Sequence, residues 1–357
     1  MKNILILLPS LGQGGAEKIH IDLANSWSDT YKVTLVTLFS DQALRDNLNE
    51  KINFECLNTK SIFRALLPIL RAIKRVQPDF IVPAMWPLTS ISIIAKVLSG
   101  VKTKIFPVEH CFFNKYAAKD HGLPLMLIGL TKLLTYVFAN KVICVSKGTK
   151  ESIRAISFLP NKLFKVIYNG INLPETDRID KESLFKTGDK VLISVGRLSH
   201  PKDYFTTIDA IKLINDANIK LYIFGDGPDK KKIDSYIAQN GLNDRIFIMG
   251  FKNNIIDYMR AADLFVHSSK YESFCIAALE AMSCGLPIVA TDSPTGLSEI
   301  LDNGRYGKLV QVGNPIDLAS AVSDSLENNL FSKDELVSRA MHFSFTRMNS
   351  EYIKLFN

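Results

Sequence analysis

Two glutamates eight residues apart, Glu272 and Glu280, bracket a short apolar segment. If this segment belongs to one continuous helix, the two residues lie about 12 Å apart along its axis, a span that suits one ligand held at both ends. The backbone N–H groups of Phe274, Cys275 and Ile276 then lie near a helix N-terminus and can bind phosphate, while the carboxylates can accept hydrogen bonds from sugar hydroxyls. Apolar residues follow Glu280, and the cost of burying an unpaired carboxylate favours a functional role for it.

A pair of cations stands where a predicted strand ends. Residues 191–195 form an apolar run, and Gly196, Arg197 and Lys202 follow it. Ligands of open parallel sheets bind at the carboxyl ends of the strands. A guanidinium fork and a lysine ammonium can together neutralise a diphosphate there. The alternative is a pair of surface cations without a ligand.

A glycine-rich turn follows the first apolar run of the chain. Gly12, Gly14 and Gly15 stand between that run and a helix-length amphipathic segment. Glycines let backbone N–H groups approach a ligand, and a helix N-terminus attracts an anion. The spacing is not that of a dinucleotide site, because Lys18 stands where the third glycine would be. A purely structural turn between strand and helix is the other interpretation.

These residues must be positioned by a chain that alternates short apolar runs with longer amphipathic segments. Such alternation predicts parallel sheets covered by helices on both faces, and its repetition predicts two Rossmann-type domains in tandem. An Asn-Gly turn at 169–170 marks the boundary. We expect an N-terminal domain over residues 1–172, a linker over 173–189, a C-terminal domain over 190–335 and further helices over 336–357, which could pack back on either domain. The predicted strands are 4–8, 32–38, 80–82, 104–108, 142–145, 191–195, 220–224, 246–249, 264–267 and 287–290, and the predicted helices of the first half are 15–28, 61–76, 87–98, 121–138 and 146–156.

The composition is that of a folded protein with two domains. The chain has 357 residues, of which 47% are hydrophobic and 22% charged, so it is neither disordered nor a single small binding module. We expect no membrane-spanning helix, because no uncharged run reaches about 20 residues, and residues 1–8 predict a first strand and not a signal peptide. Five cysteines without a CxxC pair indicate reduced thiols and a cytoplasmic location.

The charge is unevenly distributed. The net charge is +7, but residues 1–170 hold 22 Lys and Arg against 11 Asp and Glu, whereas residues 171–357 hold 21 against 25. The basic half predicts an anionic partner such as a phospholipid surface or a lipid-linked phosphate, and a solvated basic face is the alternative. Nucleic acid is not expected, because no stacking-aromatic motif accompanies the cations. Five cations at 60–75, with exposed-looking hydrophobic residues at 112–113 and 123–128, suggest that the first domain rests on the inner face of a membrane.

The chain resembles a known enzyme family. The motifs that carry the resemblance lie along nearly the whole chain in the same order as in the family: Gly14-Gly15-Ala16-Glu17, Gly196-Arg197-Leu198 with Lys202, Gly225-Asp226-Gly227-Pro228, and Glu272 with Glu280 ahead of Gly285-Leu286-Pro287. They are similar to those of the retaining glycosyltransferases of family 4. The fold of that family is GT-B, an α/β fold with two Rossmann-like domains facing a central cleft.

The resemblance implies a cytoplasmic enzyme that transfers a hexose or N-acetylhexosamine with retention of configuration. The donor would be a nucleotide-diphosphate sugar, with UDP as the nucleotide most frequent in the family. The acceptor would be a glycan or a lipid-linked glycan bound by the N-terminal domain, as in bacterial lipopolysaccharide, O-antigen or capsule assembly, and the C-terminal domain would bind the donor. By position, Arg197 and Lys202 would bind the diphosphate, Glu272 the sugar hydroxyls and Glu280 the ribose, while His110 would lie beside the donor sugar.

The resemblance also assigns a set of small residues and backbone groups to the donor site. These are Gly14, Gly15, Gly196, Gly225, Phe274, Cys275 and Ile276. Two positions depart from the family pattern, because Cys275 and Asp203 stand where the family often has glycine. Cys275 alters how closely the backbone approaches the donor, and Asp203 adds a carboxylate beside the proposed phosphate site.

The sequence predicts that neither a metal ion nor a cofactor takes part. It contains no Asp-x-Asp motif to hold a divalent ion on the diphosphate, so fixed cations and a helix terminus would stabilise the leaving group. No separate nucleophile is evident, and the resemblance implies a front-face reaction in which the leaving phosphate assists the incoming hydroxyl. The alternatives are a nucleotide- or sugar-binding protein without catalysis, and an epimerase or phosphorylase of the same fold.

Overall fold

The chain folds into two compact units. The computed structural model describes residues 1–113, 123–173, 181–186, 188–294, 296–328 and 331–357. The first unit consists of Met1–Gly170 with Met348–Asn357, and the second of Ile171–Arg347. Each unit has parallel strands and covering helices, which confirms the predicted α/β class with two Rossmann-like units.

The first unit is built on a five-stranded sheet and a three-stranded sheet. Its strands are β1 (Asn3–Leu8), β2 (Lys32–Thr37), β3 (Asn53–Cys56), β4 (Phe80–Pro83), β5 (Lys104–Ile105), β6 (Val108–Glu109), β7 (Val142–Cys144) and β8 (Phe164–Val166). The strand order is β3-β2-β1-β4-β5 in the larger sheet and β6-β7-β8 in the smaller. A bridge between Ala84 and Val108 links the two sheets.

Five helices of the first unit precede residue 170 among the described residues. They are α1 (Gly15–Trp27), α2 (Leu66–Val76), α3 (Leu88–Ser99), α4 (Leu125–Tyr136) and α5 (Lys147–Ser157). Strand β1 is apolar and fully buried from Ile4 to Leu8, as expected for a central parallel strand covered on both faces. Helix α5 begins after Ser146, whose side chain accepts a 3.0 Å hydrogen bond from the Thr149 N–H.

The second unit contains one six-stranded parallel sheet. Its strands are β9 (Lys190–Val195), β10 (Ile219–Phe224), β11 (Ile246–Gly250), β12 (Leu264–His267), β13 (Ile288–Thr291) and β14 (Lys308–Val310). Its helices are α6 (Tyr204–Leu213), α7 (Lys230–Gln239), α8 (Ile255–Ala261), α9 (Ile276–Ser283), α10 (Leu297–Ile300), α11 (Pro315–Glu327) and α12 (Lys333–Met341). The strand order is β11-β10-β9-β12-β13-β14. Strands β10 and β11 lie on one side of β9, and β12, β13 and β14 lie on the other. The carboxyl ends of β9 and β12 therefore form the topological switch point, where ligands of such sheets bind.

Helix α13 (Phe345–Phe356) packs on the first unit. Trp27 Nε1 donates a 2.7 Å hydrogen bond to Asn349 Oδ1. The buried ring of Phe356 lies 5.0 Å from the ring of Trp27 and 4.7 Å from that of Phe80, measured between centroids. Residues 348–357 therefore contribute side chains to the core of a unit whose other residues lie before position 171.

The first unit also contains a buried ion pair. Lys132 Nζ, on α4, lies 2.9 Å from one carboxylate oxygen of Glu109, and both side chains are 0% exposed. Tyr136 Oη and Thr89 Oγ1 donate to the other carboxylate oxygen, and Lys132 Nζ lies 4.4 Å from the centre of the Phe113 ring. Burial lowers the pKa of Lys132, and the nearby Glu109 only partly offsets this shift. The sequence analysis does not identify the pair, because a lysine is seldom fully buried.

The structure differs from the predicted elements in three respects. The predicted strand 104–108 is divided into β5 and β6, because Pro107 between them has no N–H to donate. Strands β3, β8 and β14 are absent from the prediction, since they are short and largely half-buried. The first residues of the predicted helix 121–138 lie outside the described residues, and the described helix begins at Leu125.

Candidate functional site

Two loops at the switch point carry most of the candidate site. The β9 loop, residues 196–203, and the β12 loop, residues 268–275, follow adjacent parallel strands and leave the same edge of the sheet. Ser268 Oγ lies within hydrogen-bond distance of the Lys202 carbonyl, at 3.0 Å, and of the Asp203 carbonyl, at 2.8 Å. The backbone N–H of Lys270 donates a 2.8 Å hydrogen bond to a carbonyl of the β9 loop. The two loops therefore support each other.

Two glycines allow the strand ends and the β9 loop to pack closely. A Cβ atom at Gly196 would lie 3.1 Å from Lys202 Cε and 3.3 Å from Tyr204 Oη. Gly225 has a φ of +134°, and a Cβ atom there would lie 2.1 Å from the carbonyl oxygen of Gly196. Gly225 is therefore required by packing and by its backbone conformation, whereas a side chain at Gly196 would be tight against the Lys202 and Tyr204 side chains.

The carboxylate of Glu272 lies at the centre of the site. Its Oε1 atom forms an ion pair with Lys202. The same oxygen accepts a 2.9 Å hydrogen bond from Ser269 Oγ and lies 3.1 Å from His267 Nε2. The Lys202 and Glu272 side chains are 21% and 14% exposed. The pair is therefore shielded from bulk water but open enough to contact a ligand.

The site holds charge despite its burial. Burial alone would raise the pKa of Glu272, but Lys202 and His267 outweigh it and hold that pKa well below its ordinary value. Burial also opposes a charge on Lys202, and Glu272 more than offsets it and raises that pKa. For His267, the neighbouring Cys275 and Glu272 outweigh burial and raise the pKa to about 9. At neutral pH an ionised carboxylate thus lies beside two cations, an arrangement that attracts an anion.

Asp203 points its carboxylate away from the lysine that precedes it. Its backbone is left-handed, with a φ of +46°, which explains why a glycine would suit this position. Thr206 Oγ1 donates a 2.8 Å hydrogen bond to one carboxylate oxygen, and Lys270 Nζ lies 3.5 Å from the other. The described contacts of the Asp203 carboxylate are thus with Thr206 and Lys270, whereas Lys202 pairs with Glu272.

The two glutamates do not share one helix. Helix α9 begins at Ile276, so Glu272 lies in the β12 loop, and the expected continuous helix is wrong. Glu280 lies within α9 and is buried, with 8% of its surface exposed. Cys275 caps the helix N-terminus, and its Sγ lies 3.5 Å from His267 Nε2. Phe274 is buried, and Ile276 is the first residue of α9, so its N–H has no partner within the helix.

The remaining predicted residues belong to the β9 loop and to the first unit. Arg197 is in the β9 loop, and its side chain is exposed. Gly14 precedes the first residue of α1, Gly15, and a Cβ atom at Gly14 would lie 2.0 Å from a carboxylate oxygen of Glu17. His110 follows β6, and these three residues belong to the first unit.

The His110 ring packs against a second histidine that the sequence analysis did not identify. The ring centres of His110 and His20 are 5.0 Å apart. Burial, with a smaller contribution from His20, lowers the pKa of His110 well below its ordinary value. Burial lowers the pKa of His20 to about 4. Both imidazoles are therefore neutral at pH 7.

His267 and Ser269 are functional candidates that were not singled out from the sequence, where residue 267 only ends the predicted strand 264–267. His267 is the last residue of β12, and Ser269 lies two residues further on. A polar residue at the carboxyl end of a strand beside the switch point is the signal that could have identified His267.

Comparison with known proteins assigns the chain to a family. The model described as Glycosyltransferase Family 4 matches residues 13–175, and the model described as Glycosyl transferases group 1 matches residues 175–341. The chain is a family 4 glycosyltransferase. This confirms the resemblance found in the sequence, and the fold class of the glycosyltransferase is GT-B. Both loops of the candidate site lie within the segment that the group 1 model matches.

Relatives cover the glycosyltransferase over most or all of its length. The N-acetylgalactosamine-N,N'-diacetylbacillosaminyl-diphospho-undecaprenol 4-alpha-N-acetylgalactosaminyltransferase of Campylobacter jejuni is 25% identical over 99% of both chains. The amylovoran biosynthesis glycosyltransferase AmsD of Erwinia amylovora is 24% identical over 86% of this chain and 85% of its own. The crystal structure of Anabaena HepE in complex with UDP and glucose has a TM-score of 0.86 at 21% identity, with 99% of both chains covered. The structural likeness concerns the fold.

Proposed function

We propose that the glycosyltransferase moves a hexose or N-acetylhexosamine from a UDP-linked donor to a glycan or lipid-linked acceptor, with retention of configuration. The observation that carries the proposal is the cluster of Lys202, Glu272, His267 and Ser269 at the switch point of the second unit. It combines cations that can bind a diphosphate with a carboxylate that can accept hydrogen bonds from a sugar.

In this proposal the diphosphate binds at the β9 loop and the N-terminus of α9. Lys202 supplies a partly exposed ammonium, and Arg197 supplies an exposed guanidinium on the same loop. The N–H groups of Phe274, Cys275 and Ile276 lie at or near the start of α9, where the helix dipole favours an anion. Gly196 leaves room for the Lys202 side chain, whose Cε would lie 3.1 Å from a Cβ atom at this position.

Glu272 and Glu280 would recognise the two sugars of the donor. The described contacts of Glu272 converge on Oε1, so we assign Oε2 to a hydroxyl of the transferred sugar. We assign the ribose hydroxyls to Glu280, a buried carboxylate on α9 that can accept hydrogen bonds. We propose that His110 also contacts the donor sugar. The low pKa of its imidazole leaves the ring neutral and able to hydrogen-bond with a hydroxyl.

The proposed reaction is a front-face displacement. The bond between the sugar C1 and the β-phosphate oxygen breaks on the face at which the acceptor oxygen bonds to C1. The leaving phosphate takes the proton of the acceptor hydroxyl, so that the products are the glycoside and UDP. Lys202 and Arg197 would stabilise the charge that develops on the diphosphate, which is the role that a metal ion has in other transferases.

The names of relatives support the choice of donor and acceptor. HepE binds UDP and glucose, the Campylobacter jejuni relative is named for a diphospho-undecaprenol acceptor, and AmsD is named for amylovoran biosynthesis. We therefore propose a role in the assembly of a bacterial cell-surface polysaccharide.

We propose further that the first unit binds the anionic inner face of the cytoplasmic membrane. Within the described residues, no helix has the length and apolarity to cross a bilayer. All five cations at 60–75 are exposed. Phe113, expected to be exposed, is 3% exposed because it packs against Trp86 and Lys132. Large apolar side chains are nevertheless exposed on two neighbouring helices, α3 and α4: Ile94, Val97, Leu98, Met126, Leu127, Leu130, Leu133 and Leu134.

The donor assignment predicts binding of a UDP-sugar without a metal ion. In a thermal-shift and calorimetric screen of UDP-, GDP- and ADP-sugars with chelator present, we expect saturable binding of a UDP-sugar. Glu280→Ala should weaken this binding by about 10–100-fold, the cost of a lost hydrogen bond to a charged group. Glu327→Ala, at the exposed end of α11, is the matched control and should bind normally. Binding of NAD alone, or of a free sugar without its nucleotide, would refute the donor site.

Product analysis separates this proposal from its alternatives. Transfer with retention gives a new glycoside whose anomeric configuration, read by NMR, equals that of the donor. An epimerase changes the donor sugar without any acceptor, and a binding protein gives no product.

The membrane assignment predicts co-sedimentation with vesicles that contain anionic lipid, at low salt. Leu134→Asp, which places a charge on the exposed face of α4, should reduce binding at least about tenfold, because burying one leucine contributes about 1.5–3 kcal/mol. Leu213→Asp, at an equally exposed leucine of the second unit, should leave binding unchanged. The absence of co-sedimentation at low salt, or equal losses in both variants, would contradict the proposal.

A further inference from the structure

Three side chains of different ligand type converge beside Lys202. They are the imidazole of His267, the carboxylate of Glu272 and the thiol of Cys275, and their ligand atoms all lie within 4.8 Å of one another. Cys275 Sγ lies 3.5 Å from His267 Nε2, which lies 3.1 Å from Glu272 Oε1. The His267 and Glu272 side chains are 3% and 14% exposed, and Cys275 is 2% exposed.

Two of the three spacings are close to those between the ligands of a tetrahedral zinc ion, and the third, from Cys275 Sγ to a Glu272 carboxylate oxygen, is at most 4.8 Å. Zinc bond lengths of about 2.0–2.3 Å to N, O and S place neighbouring ligand atoms about 3.3–3.6 Å apart. The two distances from His267 Nε2, 3.5 Å and 3.1 Å, are within a few tenths of an ångström of these values. A mixed set of thiolate, imidazole and carboxylate favours Zn²⁺ over Mg²⁺ or Ca²⁺, which prefer oxygen ligands alone.

The fold keeps these ligands together without an ion. His267 ends β12, Cys275 caps α9, and the β12 loop between them is joined to the β9 loop by hydrogen bonds from Ser268 and Lys270. The ion would therefore require little rearrangement of the backbone. Its binding would displace the thiol proton of Cys275 and the imidazolium proton of His267. The charge of the ion would also repel the Lys202 ammonium and weaken its ion pair with Glu272.

We propose that His267, Glu272 and Cys275 form an inhibitory site for a thiophilic divalent cation, with Zn²⁺ as the expected ion. Three protein ligands occupy three positions of the tetrahedron, and water occupies the fourth. The ion and its water would then lie beside the Glu272 carboxylate, in the position that the proposed function assigns to the donor sugar. The ion therefore excludes the donor. The binding site stands on its own geometry, whereas the exclusion of the donor rests on the proposed function.

Cobalt tests the binding site without any assay of transfer. The reduced, chelator-treated full-length chain is titrated with Co²⁺, and we expect one equivalent to produce the charge-transfer absorption of a cobalt–thiolate bond, which Zn²⁺ then abolishes. Cys275→Ser, nearly equal in size, should lose this absorption and weaken zinc binding at least about 100-fold, since even the loss of a residue that only supports a metal ligand lowers affinity about 10–100-fold. His267→Gln should weaken it similarly.

Cys284 supplies the matched control. It is a second buried cysteine, at the opposite end of α9, and Cys284→Ser should retain the cobalt absorption. Hydrogen exchange of β12 and α9 verifies that the variants are folded. No thiolate absorption in the unmodified chain, or its equal loss in Cys284→Ser, would overturn the metal site.

A separate measurement tests the inhibition. Zn²⁺ should raise the apparent KM for the donor in the unmodified chain, and Cys275→Ser, compared with its own zinc-free rate, should be insensitive at the same zinc concentration. A cobalt spectrum without donor competition would retain the site and reject inhibition. If the unmodified chain transfers sugar from none of the donors tested, the proposed function fails. The cobalt spectrum still shows in that case whether the metal site exists.

Discussion

Replacement of Glu272 by alanine is expected to lower kcat/KM for transfer by at least about 100-fold, comparable to the loss of one preorganised group at a charged transition state. The variant loses the proposed acceptor for the donor sugar, and it also releases Lys202, His267 and Ser269, which all contact Oε1. Initial rates with the donor identified by the binding screen provide the measurement. Glu272→Gln preserves the shape but not the charge, and we expect a loss of similar size because Lys202 no longer has an ionic partner.

Lys202→Met tests whether the two residues act together. Because Lys202 and Glu272 form one ion pair, the double variant should be little worse than the poorer single variant, whereas independent residues would give additive losses. Glu327→Ala should retain normal rates. Near-normal rates in Glu272→Ala, in a protein whose hydrogen exchange shows a folded second unit, would remove Glu272 from the active site.

Replacement of Lys132 by methionine should destabilise the first unit by about 3–5 kcal/mol, the usual cost of leaving one member of a buried ion pair without its partner. The Glu109 carboxylate would remain fully buried, with hydrogen bonds from Tyr136 and Thr89 but no cation. Urea denaturation followed by tryptophan fluorescence measures this unit selectively, because both tryptophans of the chain, Trp27 and Trp86, belong to it.

Two further variants separate burial from charge. Lys51 pairs with Asp29 at 2.7 Å, but both side chains are 63% exposed, so Lys51→Met should change stability by less than about 1 kcal/mol. Combining Lys132→Met with Glu109→Gln should recover part of the lost stability, because the second change removes the unpaired charge. Equal, small effects of Lys132→Met and Lys51→Met would show that the buried pair does not hold the first unit together.

The sequence predicted secondary structure best where a run of apolar residues fits only one kind of element. Central strands such as β1 and β9 are continuous apolar runs, so their positions could be predicted from residues 4–8 and 191–195. Edge strands such as β3 are half-exposed and resemble loops. The break between β5 and β6 at Pro107 could have been predicted, because proline cannot donate to a sheet.

The candidate site was predictable in its residues but not in its contacts. Lys202 and Glu272 were both singled out, yet they are 70 residues apart, and their pairing depends on β9 lying beside β12. Strand order is a tertiary property that periodicity does not encode. The helix N-terminus predicted near Phe274, Cys275 and Ile276 is confirmed, since α9 begins at Ile276, but it places Glu272 in the loop and not on the same helix as Glu280. The role of His267 depends on its contacts with Glu272 and Cys275, which its position in the sequence does not reveal.

The packing of α13 on the first unit has a consequence for the order of synthesis. A ribosome that has translated Gly170 must still add the whole of Ile171–Arg347 before Trp27 and Phe80 meet the Phe356 ring. At about 5–20 residues per second this takes roughly 10–40 s. During that interval the apolar groove that later receives α13 is open to chaperones and to other nascent chains, and the second unit can complete its fold before the first.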